Sequence, residues 1–406
     1  MRAAVVCATL AVVLLPVRAG AQSLSLTEAQ ALERLSPDSP RVRAMRAATD
    51  VARAEVRAAG RWPNPRLTFD REAVAGTTEY MTMVSQSLPL NGARGLQVQA
   101  ATALADASTG RVDDEFRRAR ADLRLAYAQL VAVQVREREL TAARDRVRLL
   151  AEVLAKREAA GDAAGFDRLR VERELLDLDA DLALAGTDRT RAQATLTSFF
   201  AGPLDANRIV AVSASNVHPP LPTVEALVER AESVRGDLRA LTKEKQAAGF
   251  AEQAAGRRRI PDPEIVGGTK TSSFATGDVG TVFMVHAAVP LFDRSQADRA
   301  VAQARAQLVE ARAEVFRVSL RAQIVAVRAV VEQRRAIADR YRRSAGSDQI
   351  ERIAQVSYDA GERGILELLD AFRTGSAGRL RQALLDAALR DAEIELEFLS
   401  GWELPS

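Results

Sequence analysis

The sequence predicts an α+β membrane protein in which long, coiled-coil-like helical hairpins carry four β-strands, the whole unit being written twice. An internal repeat shows the duplication. Two proline-free stretches of roughly 65 residues on helical spacing show the hairpins. Four short strands, too few to close a barrel from one chain, show that the wall is shared between copies.

The chain has 406 residues and begins with Arg2, an apolar run from Ala3 to Leu15, Pro16 and the small residues Ala19, Gly20 and Ala21. That is the layout of a secretory signal peptide (1–21) cut after Ala21. The run is shorter than the about 20 residues needed to cross a bilayer. The only cysteine, Cys7, lies inside this leader, so the mature chain forms no disulfide and holds no thiolate-bound metal. With Gln22 following the cut, it is not a lipoprotein.

The opening helix is expected from about Leu26 to Ala59, with Thr27 as N-cap and a stop before Pro63 and Pro65. Two strands follow, near Arg66 to Val74 and Glu79 to Leu88, joined through Gly76-Thr77-Thr78. From about Ala93 to Ala160 there is no proline, and Leu140, Ala143, Val147, Leu150 and Leu154 step by three and four. A helix of that length is about 100 Å long and cannot be buried in one globule. Beyond Gly161 and Gly165 the chain returns as a helix to about Phe200, with Leu175, Leu178, Leu182 and Ala185 on the same spacing.

Residues 22–201 form the first copy, and a linker of residues 202–222 carries Pro203, Pro219, Pro220 and Pro222. The second copy, 223–401, repeats the order, and 402–406 form a tail. Trp62-Pro63-Asn64-Pro65 recurs as Ile260-Pro261-Asp262-Pro263. Ser87-Leu88-Pro89-Leu90 recurs as Ala288-Val289-Pro290-Leu291, and Ala160-Gly161-Asp162 as Ala360-Gly361-Glu362. The second copy predicts a helix from about Val224 to Gly256 and strands near Glu264 to Ser272 and Val279 to Val289. Its long helix, near Gln296 to Ala360, carries a seam of Leu308, Ala311, Val315, Val318, Ala322 and Val325 with heptad character.

Those seams alone fit a soluble bundle equally well; the strands decide against it. Nine or ten residues is the length that crosses a bilayer in a tilted barrel. Four strands leave two raw edges, so closure needs several copies. Taken singly the strands alternate imperfectly. Tyr80, Thr82, Val84, Gln86 and Leu88 share one face opposite Met81, Met83, Ser85 and Ser87. Phe283, Val285, Ala287 and Val289 make a cleaner lipid-facing row opposite Met284 and His286.

Composition excludes several functions. The formal charge of +3 falls to +1 when the two charges of Arg2 and Arg18 leave with the leader, which argues against a nucleic-acid partner. Hydrophobic residues make up 47% but aromatics only 4%, a supply suited to closely spaced helices. No nucleophile and base pair can be composed, so no enzyme and no cofactor are expected. His218 lies in the linker and His286 in a strand, neither with metal-ligand companions. Gly267-Gly268 reads as strand glycine and Arg257-Arg258-Arg259 as a solvated helix end.

In this order the motifs resemble the TolC-like outer membrane efflux protein family over nearly the whole mature chain. The residues that carry the likeness are the two Pro-x-Pro motifs, Gln86-Ser87-Leu88-Pro89-Leu90 with Gly92-Ala93-Arg94-Gly95, Val289-Pro290-Leu291-Phe292-Asp293-Arg294, and Tyr358-Asp359-Ala360-Gly361 with Leu366-Glu367-Leu368-Leu369-Asp370. The resemblance implies a homotrimer whose twelve strands form one barrel in outer membrane lipid, with the helices continuing as an α-barrel through the periplasm. It implies docking onto a periplasmic adaptor (membrane fusion protein) and an inner-membrane pump of the RND type. The duct would pass small molecules or metal cations. Protein secretion through a type I system, and a pore-less periplasmic adaptor or scaffold, stay open as alternatives.

The resemblance also implies a gate at the periplasmic mouth, where Tyr358, Arg363, Glu367 and Asp370 of the second hairpin match the family's pattern and Asp167 of the first matches the acidic partner. The hairpin tips, Gly161, Asp162 and Gly165 with Gly361, Glu362 and Gly364, would meet the adaptor. Independently, Arg363, Glu367 and Asp370 are spaced to share one helix face. Threefold repetition would turn them into rings of charge that tune conductance; the bland alternative is a set of solvated tip charges.

Overall fold

A computed structural model of the chain describes residues 23–36, 38–160, 165–202, 204–212, 218–273, 278–344 and 346–403. The leader with Cys7, and the turn residues Gly161 and Asp162, lie outside the described residues.

The predicted opening helix is two helices. Strand β1 (Leu24–Leu26) leads into α1 (Glu28–Glu33), whose N-cap Thr27 forms the reciprocal capping box with Gln30. A second helix, α2 (Pro40–Ala59), starts afresh because Pro40 has no N–H to continue a helix and suits the first turn, while the Ser39 hydroxyl accepts from Val42 N.

Strands β2 (Arg66–Val74) and β3 (Thr77–Ser87) pair antiparallel. The connection is the two-residue turn Ala75-Gly76, one residue earlier than Gly76-Thr77-Thr78. Both residues take positive φ (50° and 83°), the conformation that matches hairpin twist.

Then α3 (Ala93–Ala159) runs 67 residues without a break, and Leu140, Ala143, Val147, Leu150 and Leu154 are all buried as their spacing predicts. The return helix α4 (Gly165–Thr197) packs along α3. Within the linker a short 3-10 turn (Ala206–Arg208) precedes β4 (Ile209–Ala211), which pairs parallel with β1. Tyr127 of α3 ties this pair down: its hydroxyl lies 2.8 Å from the Leu26 carbonyl and accepts from Val212 N at 3.0 Å. Residues 206–212 of the linker thus form a structural strap.

The helix expected beyond the linker, from about Val224 to Gly256, is also two helices, α5 (Val224–Val234) and α6 (Gly236–Arg257). At the break Arg235 is extended and turns its buried guanidinium onto Asp114 of α3 at 2.8 Å and Asp237 at 2.9 Å. Gly236 touches Gly110 of α3 so closely that a Cβ on Gly236 would lie 2.0 Å from the Gly110 carbonyl oxygen.

Strands β5 (Glu264–Ser272) and β6 (Val279–His286) follow; β6 ends three residues short of Val289, ahead of Pro290. The predicted second long helix divides into α7 (Gln296–Ser344) and α8 (Ser347–Asp359). Gly346, a weak helix former, stands at the break. Beyond it Asp348 and Glu351 turn towards Arg379 of α9 (Ile365–Ser400), at 2.9 and 2.7 Å.

The sheet order is β2-β3-β5-β6, all antiparallel, so β2 and β6 are unpaired edges. Register builds two different faces out of strands that are individually mixed. Leu67, Phe69, Tyr80, Val84, Ile265, Phe283 and Val285 share one face and are all exposed. Thr68, Asp70, Glu72, Glu79, Ser85 and Lys270 share the other, where Lys270 meets Glu79 at 2.6 Å.

The seam predicted on α7 is not the stripe that packs within the chain. Within the chain α7 packs on α6 and α9 through Ala302, Val309, Leu320, Ile324, Val331 and Ala338. The predicted seam lies on another face and is uncovered: Leu308 is 49% exposed, Val315 69%, Val318 72% and Val325 45%. The 3-4 spacing is present, but a helix serving two partners has two apolar stripes, and periodicity does not say which is used within the chain.

Candidate functional site

The hairpin ends gather one apolar cluster from four helices. Val147, Leu150 and Leu154 of α3, Val171 of α4, Ala354 and Tyr358 of α8, and Ile365, Leu368, Leu369 and Ala371 of α9 bury one another. This cluster brings the two hairpins together at their far ends, through the same stripe that makes α3 helical.

Tyr358 is buried in it, and its hydroxyl accepts from Arg157 Nη1 at 3.3 Å while the guanidinium lies 5.5 Å from the ring centroid. Above it the Glu351 carboxylate binds Arg146 at 2.8 Å and Arg379 at 2.7 Å. Arg379 also holds Asp348 at 2.9 Å and Glu139 at 3.0 Å. A Cβ on Gly375 would collide with Glu351, so glycine there is what admits the carboxylate. Arg373 of α9 grips Glu174 of α4 with two nitrogens, and that hydrogen bonding raises its hold on its proton. On α4, Arg168 reaches Glu158 and Glu172, both at 2.5 Å. An open groove of about 550 Å³ between α3 and α8 is lined by Arg146, Val153, Arg157, Glu351, Gln355 and Tyr358 among others.

Of the gate residues expected from the sequence, the single chain buries only Tyr358. Asp167 lies half-buried in the first turn of α4, and Arg363, Glu367 and Asp370 are exposed. Among the described residues no ion pair joins Asp167, Arg363, Glu367 and Asp370 to one another. Of the tip residues, Gly361 takes a positive φ of 73° in the turn, Glu362 and Gly364 are exposed, and Gly165 opens α4. Arg157, Arg146, Glu351 and Arg379 were not singled out from the sequence. Their partners are 28 to 240 positions away, as for Arg379 with Glu351 and Glu139, and no local spacing signals such pairs.

His218 lies 3.0 Å from the buried Glu393, which also receives Arg335 at 2.7 Å. His286 ends β6 opposite Glu264. Arg258 caps α6 and pairs with Asp298 at 2.6 Å, a helix end as expected. No group of His, Cys, Asp and Glu that could hold a metal occurs among the described residues, and none of their helices is long and apolar enough to cross a membrane.

No protein-family model matches the chain, and no curated protein sequence does. Solved structures do. A membrane protein from Pseudomonas aeruginosa aligns over 92% of this chain and 89% of its own at TM-score 0.77 with 19% identity. The outer membrane protein VceC of Vibrio cholerae aligns over 92% and 96% at TM-score 0.73 with 17% identity. The open state of the MtrE outer membrane channel of Neisseria gonorrhoeae aligns over 92% and 88% at TM-score 0.71 with 19% identity. Over 92% of its length, the chain has the fold of the TolC-like outer-membrane channels that its motifs resemble.

Proposed function

We propose that this chain is one subunit of an outer-membrane channel, the passive exit duct of a tripartite efflux system, and not an enzyme. The observation that carries the reading is a pair of unfinished surfaces in one chain. The sheet ends in two unpaired edges and exposes an apolar face from Leu67 to Val285. Below it the helical wall exposes the apolar seam of α7.

An exposed sheet face of that kind is stable against lipid, and edges are removed only by closure with other copies. Three copies would give twelve strands, an even number within the range of such barrels. The polar face with Asp70, Glu72, Glu79 and Lys270 then lines water. The helices, of which α3 is about 100 Å long by its residue count, would span the periplasm as a tube. The leader 1–21 exports the chain, and the two copies of the unit arise by internal duplication.

At the far end the hairpin tips Gly161, Asp162, Gly165, Gly361, Glu362 and Gly364 meet a periplasmic adaptor, and an inner-membrane pump of the RND type loads the duct with small molecules or metal cations. Arg363, Glu367 and Asp370, left exposed by the single chain, and Asp167 form the closed mouth between copies, with Tyr358 anchored beneath them by Arg157.

Planar-bilayer recording tests the function: the purified mature protein gives discrete conductances, whereas a monomer that is soluble without detergent and conducts nothing refutes it. Arg363→Ala or Asp167→Ala raises single-channel conductance; an unchanged value removes the gate assignment. Co-purification with an adaptor and pump identifies the cargo class.

A further inference from the structure

The chain has five methionines, and their placement is uneven. Met1 opens the leader, and Met45 packs against the apolar cluster of Leu35 and Tyr127. The other three, Met81, Met83 and Met284, all lie on the sheet face that carries Thr68, Asp70, Ser85 and Lys270. That is the face which the channel reading turns to the lumen. Methionine ordinarily fills gaps in apolar cores, whereas the inner wall of such a barrel is polar. These three are half-buried on it rather than enclosed.

Register brings two of them together. One row across the sheet holds Thr68, Met83, Gly268 and Val282, and the next row towards the helices holds Arg66, Ser85, Val266 and Met284. Met83 of β3 and Met284 of β6 are therefore one row apart with only β5 between them, about 10 Å from strand to strand. The β5 residue beside Met83 is Gly268, and a Cβ there would lie 3.0 Å from Met83 Cγ. Glycine leaves the room into which Met83 leans, across β5 and towards the strand of Met284. Met81 stands two residues from Met83 on the same face.

Resting on the channel reading, we propose that Met83 and Met284, with Met81 beside them, form a thioether site in the barrel lumen for soft monovalent metal cations of the Cu(I) and Ag(I) class. Thioether sulfur is a neutral, polarisable donor that selects soft cations, whereas hard ones prefer oxygen. The rows of Met83 and Met284 hold no carboxylate. Their one charge, Arg66, repels a divalent ion twice as strongly as a monovalent one. Carboxylates stand in the rows to either side, Asp70 opposite Met81 and Glu264 opposite His286. Neutral donors hold a cation without trapping it, which is the condition for passage through a pore.

Silver(I) is the probe, added as nitrate in chloride-free buffer. The purified full chain in a Cys7→Ala background, which has no thiol to compete, is compared with the same protein carrying Met83→Leu and Met284→Leu. Leucine keeps nearly the volume of methionine without its sulfur. Equilibrium dialysis measures bound silver, and planar-bilayer recording in potassium nitrate measures silver block of the potassium current. The expected result is binding and block in the parent. The double variant needs at least about tenfold more silver for either, since loss of supporting groups alone weakens metal sites by about 10–100-fold. Potassium conductance without silver stays equal in the two proteins. The single variants Met83→Leu and Met284→Leu fall between, and they decide the matter if the double variant does not assemble.

Equal silver binding with and without the two methionines overturns the site, and so does binding by neither protein. Zinc(II) held through the same methionines as tightly as silver overturns the soft, monovalent class. Conductance separates the two levels: a protein that conducts potassium but ignores silver loses only the site, whereas one that conducts nothing loses the channel reading and the site with it.

Discussion

Arg124 sits where the two halves of the chain meet, and its removal should be among the most damaging single changes in the wall. The side chain is 15% exposed and touches Glu28 of α1 and Glu397 of α9, themselves 12% and 4% exposed. Breaking a buried ion pair by removing one partner costs about 3–5 kcal/mol, because the other charge stays buried without compensation. Arg390 remains 2.8 Å from Glu28 and 3.9 Å from Glu397, which places Arg124→Met near the low end, about 3 kcal/mol per chain at pH 7.

The loss depends on pH with a definite sign. Burial pushes the Glu28 carboxyl up, but Arg390 and Arg124 outweigh it and hold the group below its ordinary value of 4.5. A carboxyl held low in the folded state contributes stability above the unfolded value and loses it as the pH falls through the folded value. The gap between the native protein and Arg124→Met should therefore narrow below about pH 4.5. Urea unfolding in detergent, followed by far-UV circular dichroism at pH 7 and pH 3.5, measures both quantities. A loss under about 1 kcal/mol at pH 7, the range of an exposed pair, would refute the reasoning. So would a gap that does not shrink in acid.

The Gly110–Gly236 contact predicts that Gly236→Ala, whose new methyl would meet a carbonyl at 2.0 Å, lowers stability by about 1–3 kcal/mol or more. Gly249→Ala, with nothing within 4 Å, serves as the control in the same melts. Tyr127→Phe removes the hydroxyl that holds the β1–β4 strap and should cost about 1–3 kcal/mol, with hydrogen exchange rising first at Val212. Val318→Asp, on the uncovered face of α7, should leave the folding of single chains intact while shifting size-exclusion and crosslinking profiles from oligomer to monomer. An oligomer as stable as the native one would show that this seam is not an interface.

Much of the architecture is legible in the sequence because it is written in local chemistry. Two long intervals without proline mark the great helices, and Leu140 to Leu154 mark the buried stripe of α3. The Pro-x-Pro motifs set the entry to each hairpin, and Thr27 announces its capping box. Sequence spacing did not reveal the breaks at Arg235 and Gly346, and Arg235, an ordinary helix former, gives no stop signal of its own. There the chain bends because Asp114, Arg379 and Arg146, distant in sequence, draw Arg235, Asp348 and Glu351 inward. The β1–β4 strap was missed for the same reason: three-residue strands have no periodicity of their own and exist because Tyr127 and each other's backbones hold them.

At the hairpin ends the division is sharper. Tyr358 could be picked out from its motif, but its partner Arg157 is 201 positions away, and only folding brings guanidinium and phenol together. The sequence by itself determined how long the elements are, where they turn and which stripes are apolar, since these follow from backbone propensity and side-chain period. Only the tertiary structure decided which stripe each helix spends inside the chain, which faces the strands share once in register, and which charges are buried together. Those depend on packing between segments far apart, and α7, with one stripe covered and the other bare, shows why no local pattern could have told them apart.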